Sequence, residues 1–316
     1  LRDQVATPGP ASLESSRQVA EHWNYEPMAK SFLQALGLGT PPAPAPAPGE
    51  PVPTPIVVSP STIGVGIPTR DRWETLAAGL AALLSQTRLP TAVIMVIDGS
   101  GSTAEHPAVR SLLALLKLQG VRVAEARGPG QGAAFGHQIA LRALDTDYIL
   151  RLDDDVLLPP GALARFADLL DQQPGVGAVG GCWVSLPEWT RPRRVPPGPV
   201  NSVAALLQGD GGVQFFPHQD PELHFAEHLY SSWMYRRAPM LAVGGFPECY
   251  SRFGQREETD ASVRLHLAGW ALLVDPSVQG AHLSAPGGRR EFASQQAKDG
   301  DEALFRQRYL EWIKAR

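Results

Sequence analysis

Three consecutive aspartates, Asp153, Asp154 and Asp155, have the clearest chemical meaning in this chain. They follow the apolar run Tyr148 to Leu152, so a predicted strand delivers them to the edge of a sheet. Like charges this close repel one another unless a cation neutralises them, and carboxylate oxygens suit Mg²⁺ or Mn²⁺. Side chains alternate along a strand, so Asp153 and Asp155 are expected to face one side. We therefore predict that these two aspartates bind a divalent metal, against the alternative of a solvated acidic turn.

Two turns after earlier predicted strands carry polar side chains suited to a nucleotide. Pro68, Thr69 and Arg70 follow the first strand, where Pro68 restricts the backbone and the other two present hydrogen-bond donors. Asp98 opens the glycine-rich turn after the second strand, where its carboxylate can accept hydrogen bonds from a base or a ribose. The alternatives are structural: an ordinary turn for the first segment, and a turn former ahead of a helix cap for the second.

A predicted helix that begins near Gly254 carries Glu257, Glu258 and Asp260 in its first turn. The helix dipole favours acids there for purely structural reasons, which is the competing explanation. A carboxylate at a junction of loop and helix is also well placed to be a general base toward an incoming hydroxyl. His282, at the end of a late predicted strand, is a candidate metal ligand, with a structural histidine as the alternative.

An alternation of strands and helices must position these residues. This alternation predicts an α/β fold with a Rossmann-like, doubly wound, mainly parallel sheet flanked by helices, and with ligands at the carboxyl ends of the strands. The predicted strands are residues 63–67, 92–97, 121–125, 148–152, 176–184 and 277–281. The predicted helices are residues 73–85, 108–118, 133–144, 163–170 and 292–314. Residues 187–225, rich in Pro, Gly and Arg, are expected to form a lid or another functional excursion.

The composition changes twice ahead of this domain. Residues 1–39 have helical character, and residues 40–55 form a Pro/Ala-rich linker that is expected to be extended. The main domain, with its C-terminal helix, is therefore predicted to cover residues 56–316. Because the chain begins with Leu1, we expect it to be a processed or excised piece of a longer protein.

Overall composition argues against several classes of protein. With 28 basic and 32 acidic residues, the net charge of −4 provides no electrostatic footprint for nucleic acid or an anionic membrane. Apolar runs are much shorter than the roughly 20 residues that span a bilayer, so no transmembrane segment is expected. Cys182 and Cys249 lack metal-ligand spacing, which favours free thiols and a cytoplasmic location. The HFAEH segment departs from HExxH, so its histidines are not expected to bind zinc.

The order and spacing of the motifs resemble the family 2 glycosyltransferases of the GT-A fold over residues 62–283. The segments that carry the resemblance are IPTRDR, VIDGSGS, LDDDVLLPPGAL, VGGF, EETDASVRLHLAG and AHL. The resemblance implies an inverting enzyme that uses Mn²⁺ or Mg²⁺ and a nucleoside-diphosphate sugar. A UDP-sugar is the favoured donor, and the acceptor hydroxyl belongs to a small molecule, a glycan or a peptide.

The resemblance also assigns roles to individual positions. The residues expected to contact the nucleotide-sugar are Pro68, Thr69, Arg70, Asp98, Gly132, Asp153 and Asp154. Asp153 and Asp155 match the metal-binding DxD pair, and His282 matches a late histidine on the metal side. The family's general base is usually an aspartate. Here that position is Glu258, which leaves the role shared with Glu257 and Asp260.

Three other functions compete with that of a glycosyltransferase. A dehydrogenase would use the glycine-rich segment from Gly128 to Gly132 with Asp153 as the ribose acid, but the spacing departs from GxGxxG and the segment follows the third strand. A sugar-nucleotide nucleotidyltransferase would carry its phosphate loop directly after the first strand, where this chain has IPTRDR. A non-catalytic, transferase-like binding domain is the third alternative, and the acids at every expected site argue against it.

Overall fold

A computed structural model of the chain describes residues 60–185, 201–203 and 222–314. All of these lie in the compact unit Ser59–Arg316. The predicted N-terminal helical segment, the Pro/Ala-rich linker and most of the predicted lid lie outside the described residues. Those parts of the sequence analysis, with the domain boundaries, therefore stay predictions.

Strands and helices alternate through the described residues. The strands are β1 (Ile63–Thr69), β2 (Ala92–Ile97), β3 (Arg122–Arg127), β4 (Tyr148–Arg151), β5 (Val156–Leu157), β6 (Val176–Ser185), β7 (His224–Ala226), β8 (Trp233–Arg236) and β9 (Ala271–His282). The α-helices are α1 (Trp73–Leu84), α2 (Pro107–Leu118), α3 (Ala133–Ala143), α4 (Ala162–Gln172), α5 (Arg237–Ala242), α6 (Glu257–Leu267) and α7 (Gln295–Lys314). Two 3₁₀ turns cover Thr103–Glu105 and Gly288–Phe292.

Most predicted elements are confirmed with small changes at their ends. The largest differences are at the C-terminal side, where the predicted strand 277–281 is the second half of the longer β9, and the predicted helix 292–314 starts only at Gln295. The first six residues of β9 are all buried. A strand buried on both faces lacks the alternating pattern that marks strands in a sequence, which explains why its start was missed.

The strands form a single sheet in the order β3-β2-β1-β4-β8-β6-β9-β5, with β7 paired to β9. The half made of β3, β2, β1 and β4 is entirely parallel, as predicted. The short strand β8 was not predicted, and it runs antiparallel to both of its neighbours, β4 and β6. The carboxyl ends of β1, β2 and β4 therefore meet at one edge of the sheet, where ligands bind in folds of this kind.

Burial explains why these segments form this sheet. Every residue of β1 and β2 is buried, as expected for central strands covered on both faces. Helix α3 packs on β1 and β2, and two glycines allow the close approach. A Cβ at Gly66 would lie 2.5 Å from the Cβ of Ala140, and a Cβ at Gly136 would lie 2.6 Å from the Cβ of Pro68. The start of α3 is thereby held against the end of β1.

The C-terminal helix α7 packs beside α6. Its Phe305 and Tyr309 form a second apolar cluster with Tyr250 and with Val263 of α6. This cluster lies apart from the main core and supports the segment that leads into α6. Within the ranges given above, no helix is both long enough and apolar enough to cross a membrane.

Candidate functional site

A pocket opens where β1, β2 and β4 end. It is lined by all the residues predicted to contact the donor or the metal: Pro68, Thr69, Arg70, Asp98, Gly132, Asp153, Asp154, Asp155 and His282. Other lining residues are Arg72, Ala133, His137, Gly288 and Phe292. The parallel arrangement of β1, β2 and β4 accounts for the convergence, because turns far apart in the chain follow strands that are neighbours in the sheet.

Arg72, which the sequence analysis quoted without a role, neutralises two of the three aspartates. Its Nη1 donates to Asp155 Oδ2 at 2.8 Å, and its Nε donates to Asp154 Oδ2 at 3.2 Å. The Nη2 group also pairs with Asp154. Three adjacent acids require a compensating cation, and in the structure this guanidinium is such a cation. Only the pairing of β1 with β4 brings Arg72 to them, and this pairing is invisible in the sequence.

Asp154 is almost completely buried beneath the pocket. Its carboxylate accepts a hydrogen bond from Thr69 Oγ1 at 2.7 Å in addition to those from Arg72. Burial disfavours the ionised form and raises the pKa of Asp154 to about 6, against the opposing effect of the Arg72 charge. Asp154 therefore anchors Arg72 and Thr69, while a direct contact with a donor stays a prediction.

Asp155 and His282 face each other across the pocket floor. The antiparallel pairing of β5 and β9 places Val156 opposite His282, and His282 Nε2 lies 3.4 Å from Asp155 Oδ1. Burial alone would raise the pKa of Asp155, but the hydrogen bond from His282 and the charge of Arg72 outweigh it, so the pKa is lowered. The ionised carboxylate is the form that a metal ligand requires.

These two groups fit as neighbouring ligands of one hard cation. An octahedral ion bound at about 2.1 Å separates adjacent ligands by roughly 3 Å, close to the separation of Asp155 Oδ1 and His282 Nε2. Among the described residues, no group of three or more His, Cys, Asp or Glu is arranged to hold a metal ion. Mg²⁺ commonly uses only one or two carboxylates and completes its shell with water and substrate phosphates.

Asp153 links the pocket to helix α6. Its side chain is 21% exposed and accepts hydrogen bonds from Ser231 Oγ at 2.8 Å and from Arg151 Nη2 at 3.1 Å. The same Nη2 of the buried Arg151 donates to Glu257 Oε1 at 2.9 Å. One guanidinium therefore bridges the predicted metal-binding pair and the acids of α6, a connection that the sequence did not reveal.

Asp98 organises the glycine-rich loop ahead of α3. Its Oδ1 accepts from Gly130 N at 2.8 Å and its Oδ2 from Gly132 N at 3.0 Å, while Arg70 Nη1 donates to its carbonyl oxygen at 2.7 Å. Gly132 has a φ of +100° and lies so close to Arg252 that a Cβ would meet its carbonyl oxygen at 2.5 Å. Only glycine fits at position 132. The contacts of Asp98 and Gly132 with a nucleotide stay predictions.

The three acids of α6 have different surroundings. Glu257 is fully buried in its pair with Arg151. Asp260 is also fully buried, and it accepts hydrogen bonds from Tyr250, Arg264 and Arg308, each at 2.8 Å. Glu258 is partly exposed, and its Oε2 has no hydrogen-bond partner within the described part of the chain. None of the three lines the pocket.

Helix α7 fixes the loop that precedes Glu258. Asp301 accepts hydrogen bonds from Ser251 N and Ser251 Oγ, both at 2.7 Å, and from Gln255 N at 2.9 Å. Glu302 pairs with Arg256 at 2.7 Å, and Arg256 caps α6 with a φ of +82°. A left-handed backbone is unfavourable for arginine, so these contacts support a strained turn directly before Glu257 and Glu258. Nothing in the sequence marked Asp301, a mid-helix aspartate, as part of the site.

Known proteins resemble this chain in sequence pattern and in fold. The model of the family described as glycosyl transferase family 2 matches residues 64–230. The crystal structure of GalNAc-T7 with UDP, GalNAc and Mn²⁺ superimposes with a TM-score of 0.57 at 13% identity, covering 80% of this chain and 50% of that one. The structure of S. aureus TarS 1-349 in complex with UDP-GlcNAc has a TM-score of 0.52 at 14% identity, with 74% and 61% covered.

At these identities the two structures show the fold alone, and the predicted GT-A type of α/β fold is confirmed. The chain spans half the length of the GalNAc-T7 chain and about three fifths of the TarS chain. No curated protein matches its sequence.

Proposed function

This chain belongs to glycosyl transferase family 2, and from that we propose that it transfers a sugar, with inversion, from a nucleoside-diphosphate sugar to an acceptor hydroxyl. The observation that carries the proposal is the pocket in which the family's nucleotide-binding and metal-binding positions converge. The acceptor is a small molecule, a glycan or a peptide, and UDP is the favoured carrier of the sugar. The UDP present in the GalNAc-T7 structure supports that choice.

In this proposal, different pocket residues bind the nucleoside and the metal ion. Pro68, Thr69, Arg70 and Asp98 lie at the ends of β1 and β2 and bind the nucleoside. Asp155 and His282 would hold Mn²⁺ or Mg²⁺, and Asp153, which is bonded to Ser231 and Arg151, would become a further ligand by turning toward the ion. When bound, the ion supplies positive charge to the diphosphate, which makes it a better leaving group. The Mn²⁺ in the GalNAc-T7 structure supports a divalent cation here.

Glu258 acts as the general base in this mechanism. Glu257 and Asp260 are buried in ion pairs, whereas Glu258 is partly exposed, and this difference in exposure favours it as the base. Glu258 takes the proton of the acceptor hydroxyl as that oxygen forms a bond to the anomeric carbon. The bond from this carbon to the diphosphate breaks on the opposite face, so the configuration inverts.

The experiment that tests the function measures products from a panel of UDP-, GDP- and TDP-sugars with Mn²⁺ and with EDTA. We expect release of nucleoside diphosphate that depends on Mn²⁺, and NMR of the product with an identified acceptor should show the inverted anomer. A nucleotidyltransferase would instead release pyrophosphate when it is given a nucleoside triphosphate and a sugar 1-phosphate, which a parallel assay supplies. Binding without turnover for every donor and acceptor would favour the non-catalytic domain.

A thermal-shift screen of nucleotides measures binding separately from turnover. A ligand that binds only the folded protein raises its stability, so UDP with Mn²⁺ is expected to raise the Tm. No shift with any nucleoside diphosphate, with or without Mn²⁺, would contradict the proposed donor class.

A further inference from the structure

Arg72 is a fixed cation within the proposed metal site. Its side chain is 14% exposed, and its guanidinium bridges Asp154 and Asp155. Asp154 is itself buried and held by Thr69, so the arginine is anchored from the side opposite to Asp155. Nη1 also approaches the carbonyl oxygen of Ala285 at 3.5 Å. Asp154, Asp155 and the Ala285 carbonyl thereby hold the positive charge at the carboxylate that would bind the ion.

The charge of Arg72 opposes metal binding at Asp155. Arginine stays protonated at every physiological pH, so it contributes a full positive charge. Asp155 Oδ2 accepts from Arg72 Nη1 at 2.8 Å and from Ala285 N at 3.2 Å, while Oδ1 faces His282. A divalent cation at Oδ1 would share its carboxylate with a guanidinium and be repelled by it at short range, where screening by water is weak.

The neighbouring acid does not offset this repulsion. Asp153, the other proposed ligand, is paired with Arg151 at 3.1 Å, and His137 Nε2 lies 3.7 Å from the same carboxylate oxygen. Arg72 and Arg151 therefore compensate part of the negative charge of the three aspartates before any ion arrives. A diphosphate would change the balance, because its negative charges can be shared by the ion and by Arg72 together.

We infer that Arg72 suppresses metal binding in the nucleotide-free protein, so that the ion and the nucleoside diphosphate bind as one complex. This inference rests on the proposed function and adds an order of binding to it. Arg72 is thus a regulatory residue for the metal site. A purely structural Arg72, one that only anchors Asp154, would leave metal affinity unchanged.

The test measures Mn²⁺ binding to the nucleotide-free protein by EPR of the free ion. The variants are Arg72→Gln, which removes the charge, and Arg72→Lys, which keeps it. We expect Arg72→Gln to bind Mn²⁺ about tenfold or more tightly than the wild type, because a like charge a few ångströms away is removed. Arg72→Lys should stay close to the wild type. Adding Asp155→Asn to Arg72→Gln should abolish the gain, which assigns it to this site.

A second variant is needed in case Arg72→Gln fails to fold. Arg72→Gln leaves the buried Asp154 without its partner, so Arg72→Gln/Asp154→Asn removes that charge as well. The double variant should also bind Mn²⁺ more tightly than the wild type. An affinity equal to that of the wild type in both neutral variants overturns the inference. Tight Mn²⁺ binding by the nucleotide-free wild type, undiminished relative to the protein with UDP, overturns it too.

Binding of UDP separates this inference from the proposed function. In the wild type, UDP should raise the affinity for Mn²⁺, and Mn²⁺ must then raise the affinity for UDP by the same factor. Arg72→Gln should weaken that coupling. If the wild type binds neither UDP nor Mn²⁺ in any combination, both proposals fail. If UDP and Mn²⁺ bind together but the Arg72 variants change nothing, only the inference about Arg72 fails.

Discussion

The pocket aspartates and the acids of α6 look alike in the sequence but have different environments in the structure. The pocket aspartates share two arginines, and all three line the cleft, where Asp155 faces His282. Of the α6 acids, Glu257 and Asp260 are fully buried in ion pairs, whereas Glu258 is partly exposed. An acid within a motif is therefore not by itself a functional acid. Its partners and its exposure decide whether it can act on a ligand.

Substitutions within the pocket should have the largest effect on turnover. They should separate an acid that binds the metal from an acid that supports Arg72. Asp155→Asn removes the charge of a proposed metal ligand, and turnover should fall on the order of 10³-fold. Asp154→Asn keeps the size of a buried residue that supports Arg72, so the loss should be much smaller. Initial rates with saturating donor and Mn²⁺ compare the two, with circular dichroism as the control for folding. Equal losses would mean that the position of Asp155 beside His282 does not set it apart from Asp154.

Substitution within α6 should separate Glu258 from its neighbours. Glu258→Gln removes the proposed base, and kcat should fall roughly 10² to 10⁴-fold with the affinity for UDP almost unchanged. Kinetics with an identified acceptor, together with calorimetry of UDP binding, measure the two quantities. Full activity in this variant would place the base elsewhere, with Asp260 as the first alternative.

Substitution of Glu257, unlike that of Glu258, should mainly lower the stability of the fold. Glu257→Ala leaves the buried Arg151 without its closest carboxylate, which should lower the free energy of unfolding by about 3 to 5 kcal/mol. Urea denaturation measures this loss. Glu258→Ala is the matched control: among the described residues Arg151 forms its ion pairs with Asp153 and Glu257, so removal of the Glu258 carboxylate should cost far less. Similar losses in the two variants would contradict the contrast drawn between these neighbours.

Loss of the hydrogen bonds between Asp301 of α7 and the loop before α6 should have an intermediate effect on stability. Asp301→Ala removes three hydrogen bonds to the loop before α6, and the free energy of unfolding should fall by about 1 to 3 kcal/mol. Trypsin should then cleave faster after Arg252 or Arg256. Asp299→Ala is the control, because Asp299 lies on the same helix and its carboxylate accepts a hydrogen bond from the nearby exposed Gln295. Unchanged cleavage in Asp301→Ala would show that the loop is held by other contacts.

The smallest effect should come from a buried histidine on the α6 side. Burial lowers the pKa of His228 to about 3, so the folded protein keeps it neutral while the unfolded chain takes up a proton below about pH 6.5. Its contribution to stability is therefore complete above pH 6.5 and lost as the pH falls, by up to about 1.4 kcal/mol per pH unit. Urea denaturation between pH 7 and 5 should show a shallower slope for His228→Leu. An unchanged slope would assign the acid sensitivity to other groups.

Much of the donor pocket could be predicted because it depends on local order along the chain. A buried strand followed by a polar turn recurs at Thr69, Asp98 and Asp153, and parallel strands bring such turns to one edge. The choice of the general base among the acids of α6, in contrast, could not be made from the sequence. Three acids stand in one helical turn, and no local pattern shows that Asp260 is bound by Arg308 from another helix.

The sequence by itself determined the alternation of strands and helices, the family resemblance and part of the pocket lining, because hydrophobic periodicity and turn residues act over a few positions. Only the tertiary structure decided the antiparallel insertion of β8, the pairing of Arg72 with Asp154 and Asp155, and the support of α6 by Asp301. Each of these depends on which distant segments become neighbours. That choice comes from packing of the whole core, which leaves no mark at the individual residues.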